Sequence, residues 1–119
     1  MTVKIVEQSG TLLAVKLSGK LTKADMEGWQ RKAVEVIERE GGVRILVTAE
    51  GFEGWDKKGD WGDLSFMMQY DEQIKRIAVV GDLKWKDLTF AFTGKGMRSA
   101  QVEYFLPDQL ARARAWVTS

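Results

Sequence analysis

Residues 44–49 read Arg-Ile-Leu-Val-Thr-Ala, a short and nearly continuous apolar run. Alternation of apolar and polar residues marks a strand with one wet face; a run without alternation marks a strand covered on both. Residues 77–80, Ile-Ala-Val-Val, repeat the pattern and end at Gly81. Two strands of this kind, separated by a helical stretch, set the class as α/β.

Upstream, Val3 and Ile5, then Leu13, Val15 and Leu17, alternate with polar residues about Ser9-Gly10, which predicts a hairpin of two half-buried strands. Thr22 stands three residues before Asp25, as a helix cap does. Met26, Trp29, Ala33, Val36 and Ile37 then follow at helical spacing to about Glu40, and Gly41-Gly42 stops the helix. After the 44–49 strand comes Gly-Phe-Glu-Gly-Trp-Asp-Lys-Lys-Gly-Asp, residues 51–60, a glycine-rich loop by composition. Asp60 and Asp63 predict a second helix start, with Trp61, Leu64, Met67 and Met68 on its inner face. Asp82 caps a third helix with Trp85, Leu88 and either Ala91 or Phe92 inward. Val102 to Phe105 is the last strand. Pro107 suits the first turn of a final helix with Leu110, Ala113 and Val117 buried and Trp116 beside them. The order β-β-α-β-α-β-α-β-α implies a partly parallel sheet that starts with an antiparallel hairpin. Residues 1–119 are expected to form one domain.

Composition removes several classes of chemistry. Cysteine and histidine are both absent from the 119 residues, so disulfides, thiolate or imidazole metal sites and Ser-His-Asp triads cannot be built. The N-terminal residues lack the pattern of a signal peptide, no run is long and apolar enough to span a bilayer, and a cytoplasmic location is expected. Net charge is +1, from 18 basic and 17 acidic residues, which disfavours a general nucleic-acid binder. Charge is mildly segregated, residues 1–74 carrying −3 and residues 75–119 carrying +4.

The segment Arg76-Ile77-Ala78-Val79-Val80-Gly81-Asp82 with Trp85, and Gln101-Val102-Glu103-Tyr104-Phe105 followed by Ala113-Arg114-Ala115-Trp116-Val117, resemble the SpoIIAA-like proteins, related in fold to STAS and CRAL-TRIO domains. The N-terminal hairpin, first helix and 44–49 strand agree with that family in order and length. The resemblance implies a mixed sheet of four or five strands with about four helices packed on it and no catalysis. STAS relatives are regulators phosphorylated on a serine at the start of the helix after a central strand. Here residues 50–60 contain no serine or threonine, and Ser65 lies inside the predicted helix, so kinase switching at that position is not expected. CRAL-TRIO relatives bind hydrophobic small molecules, which supplies a rival function.

Four groups are candidate sites. Phe52, Trp55, Trp61, Phe66 and Met67, with Trp85, would form a ligand site in which the 51–62 segment is a mobile lid over an apolar pocket. Alternatively the aromatics fold back and cap the core, which the burial tendency of large apolar residues favours. Phe90 falls off the helical stripe and, with Phe92, would mark a surface for a protein partner or a homodimer. Glu50, Glu53, Asp56, Asp60 and Asp63 lack the order of a calcium loop, and no metal or cofactor is expected. Gly94-Lys95-Gly96 with Arg98 matches no phosphate-binding fingerprint and reads as a turn. The leading function is a non-catalytic interaction or regulatory module; the alternative is a carrier or sensor of a small hydrophobic molecule.

Overall fold

The computed structural model describes residues 3–56, 69–93 and 100–119, side chains at 92 and 93 apart. Five strands, β1 (Val3–Ser9), β2 (Leu12–Leu21), β3 (Val43–Trp55), β4 (Ile74–Val80) and β5 (Gln101–Phe105), stand in the sheet in chain order. The β1–β2 pair is antiparallel, turned at Gly10 with φ 56°, and the other three pairs are parallel. Among the described residues three α-helices connect or close them: α1 (Lys23–Glu40), α2 (Lys86–Thr93) and α3 (Leu110–Thr118). The helix expected from Asp60 lies outside the described residues.

Coverage of both faces is visible within one strand. Leu12, Leu13, Ala14 and Val15 are consecutive in β2 and all at most 5% exposed, so neither face of the first half of β2 is wet. The larger core lies on the α1 face and joins Leu13, Val15, Ile45, Val47, Ile77 and Val79 to Ala33, Val36 and Ile37. Burial of each of these valine, leucine and isoleucine side chains contributes roughly 1.5–3 kcal/mol before chain entropy is set against it. The opposite face holds Leu12, Ala14, Leu46, Ala78 and Val80 under Ala113 and Val117 of α3.

Local chemistry explains the helix ends. Thr22 Oγ1 accepts from the Asp25 N–H at 3.2 Å, and Gly41 adopts φ 80° to close α1. The C-terminal carbonyls of α3 are held by the sheet itself. The Arg44 guanidinium donates to the carbonyl oxygens of Val117 at 2.9 Å and Ser119 at 3.0 Å. Arg76 donates to the Trp116 carbonyl at 2.5 Å and to Ser119 Oγ, with its guanidinium 5.0 Å from the Trp116 ring centroid. Both cations therefore sit where the helix dipole favours positive charge. Toward the β1 edge, Arg114 donates to Glu7 Oε2 at 2.6 Å, a bond that holds the Glu7 carboxyl below the usual carboxylate range.

Two expectations are corrected. The segment read as a glycine-rich loop from residue 51 is, through Trp55, the end of β3. Gly19 pairs with Phe52 and Leu21 with Trp55, and at each step β3 spends three residues where β2 spends two. The additional residues are accommodated by bulges in which Gly51 and Gly54 take φ 61° and 98°, a conformation open to glycine. Gly51 and Gly54 thus bend a paired strand; residues 57–62 of the segment read as a lid lie outside the described residues. The second correction concerns helix phase. Leu88, expected inward, is 54% exposed, and Leu110, expected in the stripe of α3, is 43% exposed. In α2 the inward residues are Thr89 and Phe90.

Candidate functional site

The bulges of β3 have a geometric effect on side chains. Ala49 faces α1, and two three-residue steps, each carrying one additional residue, return Phe52 and Trp55 to that same face. Both pack against the larger core and remain half-buried. Trp85 reaches them from the turn before α2. Ring centroids are 5.3 Å apart for Phe52–Trp55, 5.2 Å for Phe52–Trp85 and 6.1 Å for Trp55–Trp85, all edge-to-face. Such contacts add roughly 0.5–1.5 kcal/mol each to the burial of the rings. Gly54 is part of the fit, because a Cβ there would lie 3.2 Å from Trp85 Cη2.

Next to this cluster, Gly81 ends β4 and lets the chain turn. A Cβ on Gly81 would sit 2.8 Å from the Tyr104 hydroxyl and 3.3 Å from Ala49 Cβ, so any side chain here would have to displace Tyr104. The Tyr104 hydroxyl donates to the Asp82 backbone carbonyl at 2.6 Å. Burial, with a smaller contribution from the Asp82 charge, pushes its pKa up to about 12. The Asp82 carboxylate accepts from the Lys84 N–H at 2.9 Å and starts the 3-10 turn Leu83–Trp85, which leads directly into α2. Phe90 packs edge-on to Tyr104 at 6.2 Å. Outside, the ammonium groups of Lys84 and Lys86 lie 5.5 and 5.9 Å from the Trp85 and Phe90 ring centroids.

Of the residues predicted for a ligand site, Phe52, Trp55 and Trp85 are brought together; Trp61, Phe66 and Met67 lie outside the described residues. Phe90, read from sequence as a surface residue with Phe92, points instead to the core; the Phe92 side chain is not described. The apolar surface falls one step away, on Leu83 and Leu88, which are 61% and 54% exposed. Tyr104 was not placed in a site by sequence; Gly81 was read only as the end of its strand and Gly54 only as one of the glycines of the 51–62 segment, and neither contact was anticipated. Glu50 of the acidic group is paired with Lys16 at 2.9 Å, and among the described residues no three metal-ligating side chains come together. Asp60, Asp63 and the 94–98 turn lie outside the described residues.

The cluster offers aromatic surface, two flanking ammonium groups and exposed leucines at the C-terminal ends of parallel strands, where open α/β sheets receive ligands. A family model for SpoIIAA-like proteins matches residues 12–118, and the chain belongs to that family. A solved structure, that of an uncharacterized protein from Shewanella loihica PV-4 with a SpoIIAA-like fold, is similar with a TM-score of 0.73 at 20% identity, over 97% of this chain and 93% of that one. At that identity the likeness is one of fold. No curated protein matches the chain. None of the described helices is long and apolar enough to cross a membrane.

Proposed function

We propose that this SpoIIAA-like domain is a non-catalytic interaction or regulatory module that binds a protein through the Leu83–Leu88 turn and helix. The observation that carries this reading is the exposure of Leu83 and Leu88 on either side of a half-buried Trp85. An apolar group in that position, rimmed by lysines and aspartates, has the make-up of a contact surface.

Binding of a small hydrophobic molecule is the second reading, favoured by the convergence of Phe52, Trp55 and Trp85 at the strand ends. Against it, the three rings fill one another's space, and Trp85 lies against the Gly54 backbone. Native mass spectrometry of the domain taken from its own host separates the two. A protein partner that is lost in the Leu83→Ser/Leu88→Ser double variant supports the module. A stoichiometric small-molecule mass, retained in that variant and lost in Trp55→Ala, would overturn it in favour of the carrier.

A further inference from the structure

The first turn of α1 holds a sulfur in a defined hydrogen bond. Met26 stands four residues after the cap Thr22, and Trp29, almost one turn further on, donates its indole Nε1–H to the Met26 Sδ at 3.0 Å. A thioether is a weak acceptor, so the packing around the pair holds this contact more than the bond itself does. Met26 is half-buried, and both side chains pack against the larger core. Leu21, the residue before the cap, belongs to that core. Leu21 and Met26 thus occupy the two positions at which an apolar pair fixes the angle of a chain entering a helix. The same Leu21 pairs with Trp55 across the sheet and accepts from the Asp56 N–H at 2.8 Å, so the start of α1 adjoins the aromatic cluster.

We infer that Met26 is a modification site, oxidised by hydrogen peroxide to one epimer of methionine sulfoxide. A thioether sulfur carries two lone pairs. One is directed at the Trp29 N–H and is screened by the indole; the other is turned from it and meets the oxidant. That second lone pair forms the new S–O bond to the near oxygen of the peroxide while the O–O bond breaks. The far oxygen leaves as hydroxide and takes the proton of the transferred oxygen, giving water. Sulfur is oxidised by two electrons and the peroxide is reduced by two. One-sided attack gives the sulfoxide sulfur one hand. The product is polar where the thioether was apolar, and its electron-poor sulfur no longer accepts the Trp29 N–H. Oxidation therefore removes that bond and weakens the packing of Met26 on the core together, which loosens the first turn of α1.

Treatment of the purified full chain with dilute hydrogen peroxide, followed by trypsin and mass spectrometry, tests this. Cleavage after Lys23 and Arg31 releases residues 24–31, in which Met26 is the one methionine. That peptide is expected to gain one oxygen on the sulfur, located by fragmentation, and chromatography against the two synthetic epimers to show one in excess. Methionine sulfoxide reductases of the two epimer specificities, supplied with a dithiol that is left as the disulfide, are expected to agree: one reverses the change and the other does not. Chain oxidised in urea, where no fold directs the attack, is expected to give the epimers in near-equal amounts. Trp29→Phe, its fold verified by far-UV circular dichroism, is expected to move the folded chain toward that ratio. Met26 that stays unmodified in the folded chain under peroxide that oxidises it in urea overturns the inference, as do equal epimers from the folded chain. An undiminished excess in Trp29→Phe overturns the part given to Trp29; should that variant fail to fold, the comparison of folded with unfolded wild type decides alone. Loosening is read in the oxidised wild type as faster hydrogen exchange in the first turn of α1 and a lower urea midpoint, both restored by the matching reductase. Met26→Leu, which cannot form the sulfoxide, is expected to keep its midpoint under peroxide. A midpoint that falls there as far as in the wild type places the effect at another methionine and overturns the role given to Met26.

Discussion

Tyr104 ties the end of β5 to the turn after β4 with one hydrogen bond, and the burial of its phenol makes the fold sensitive to alkaline pH. Its folded pKa is raised above the ordinary value near 10, to about 12, so the folded state holds the phenolic proton more tightly than the unfolded chain does. The stabilising contribution is complete below pH 10 and is lost as pH rises through the interval up to about 12. Tyr104→Phe is expected to cost about 1 kcal/mol at neutral pH for the bond to Asp82. It is also expected to flatten the fall of stability across that alkaline interval. Urea unfolding at a series of pH values checks both, and an unchanged alkaline slope would mean that Tyr104 does not set it. Trp55 belongs to the same scale. Half-buried and edge-on to two rings, it is expected to cost about 2–3 kcal/mol when replaced by alanine, short of the ~3–5 of a fully buried ring. A loss below ~0.5 kcal/mol would identify an open surface ring instead.

At the level of elements, the tie between sheet and α3 invites the clearest experiment. Arg44→Ala and Arg76→Ala each remove a cation from the carbonyl end of the helix, with an expected loss of about 1–2 kcal/mol apiece. Native-state hydrogen exchange is expected to show the α3 amides of either variant exchanging faster while those of β2 keep their protection. Equal acceleration in both elements would place the arginines' effect in the global fold and not in helix docking. Elements are also where the sequence was most and least legible. The caps at Thr22 and Gly41, the hairpin turn and the 44–49 run were all readable, because each depends on neighbours in the chain. The extension of β3 was not. Ala49, Phe52 and Trp55 share a face at a spacing of three because two bulges interrupt the alternation, and a spacing of three looks nothing like a strand. Only the pairing of Gly19 and Leu21 across the sheet discloses it. The phase of α2 was misjudged for a related reason. A 3-10 turn from Leu83 to Trp85 precedes the helix and rotates Leu88 outward and Phe90 inward relative to one uniform helical period.

Over the whole molecule, the class, the mixed sheet and its order of elements followed from patterning, since a β-strand buried on both sides demands layers above and below. The candidate site was legible in part: the convergence of Phe52, Trp55 and Trp85 was anticipated, but the contact of Gly54 with Trp85 and that of Gly81 with Tyr104 depend on long-range packing. The unequal faces of the sheet carry a consequence for how the chain is made. Strands enter the sheet in the order in which a ribosome releases them, so each can join the edge that the previous one has just completed. Among the described elements α3 comes after all five strands, and until it emerges the face of Leu12, Ala14, Leu46, Ala78 and Val80 lacks the cover of Ala113 and Val117. Arg44 and Arg76 lie on that same face. Two charges set in an otherwise apolar face have the make-up of gatekeepers against aggregation, and in the folded chain the carbonyls of the last helix take up their charge.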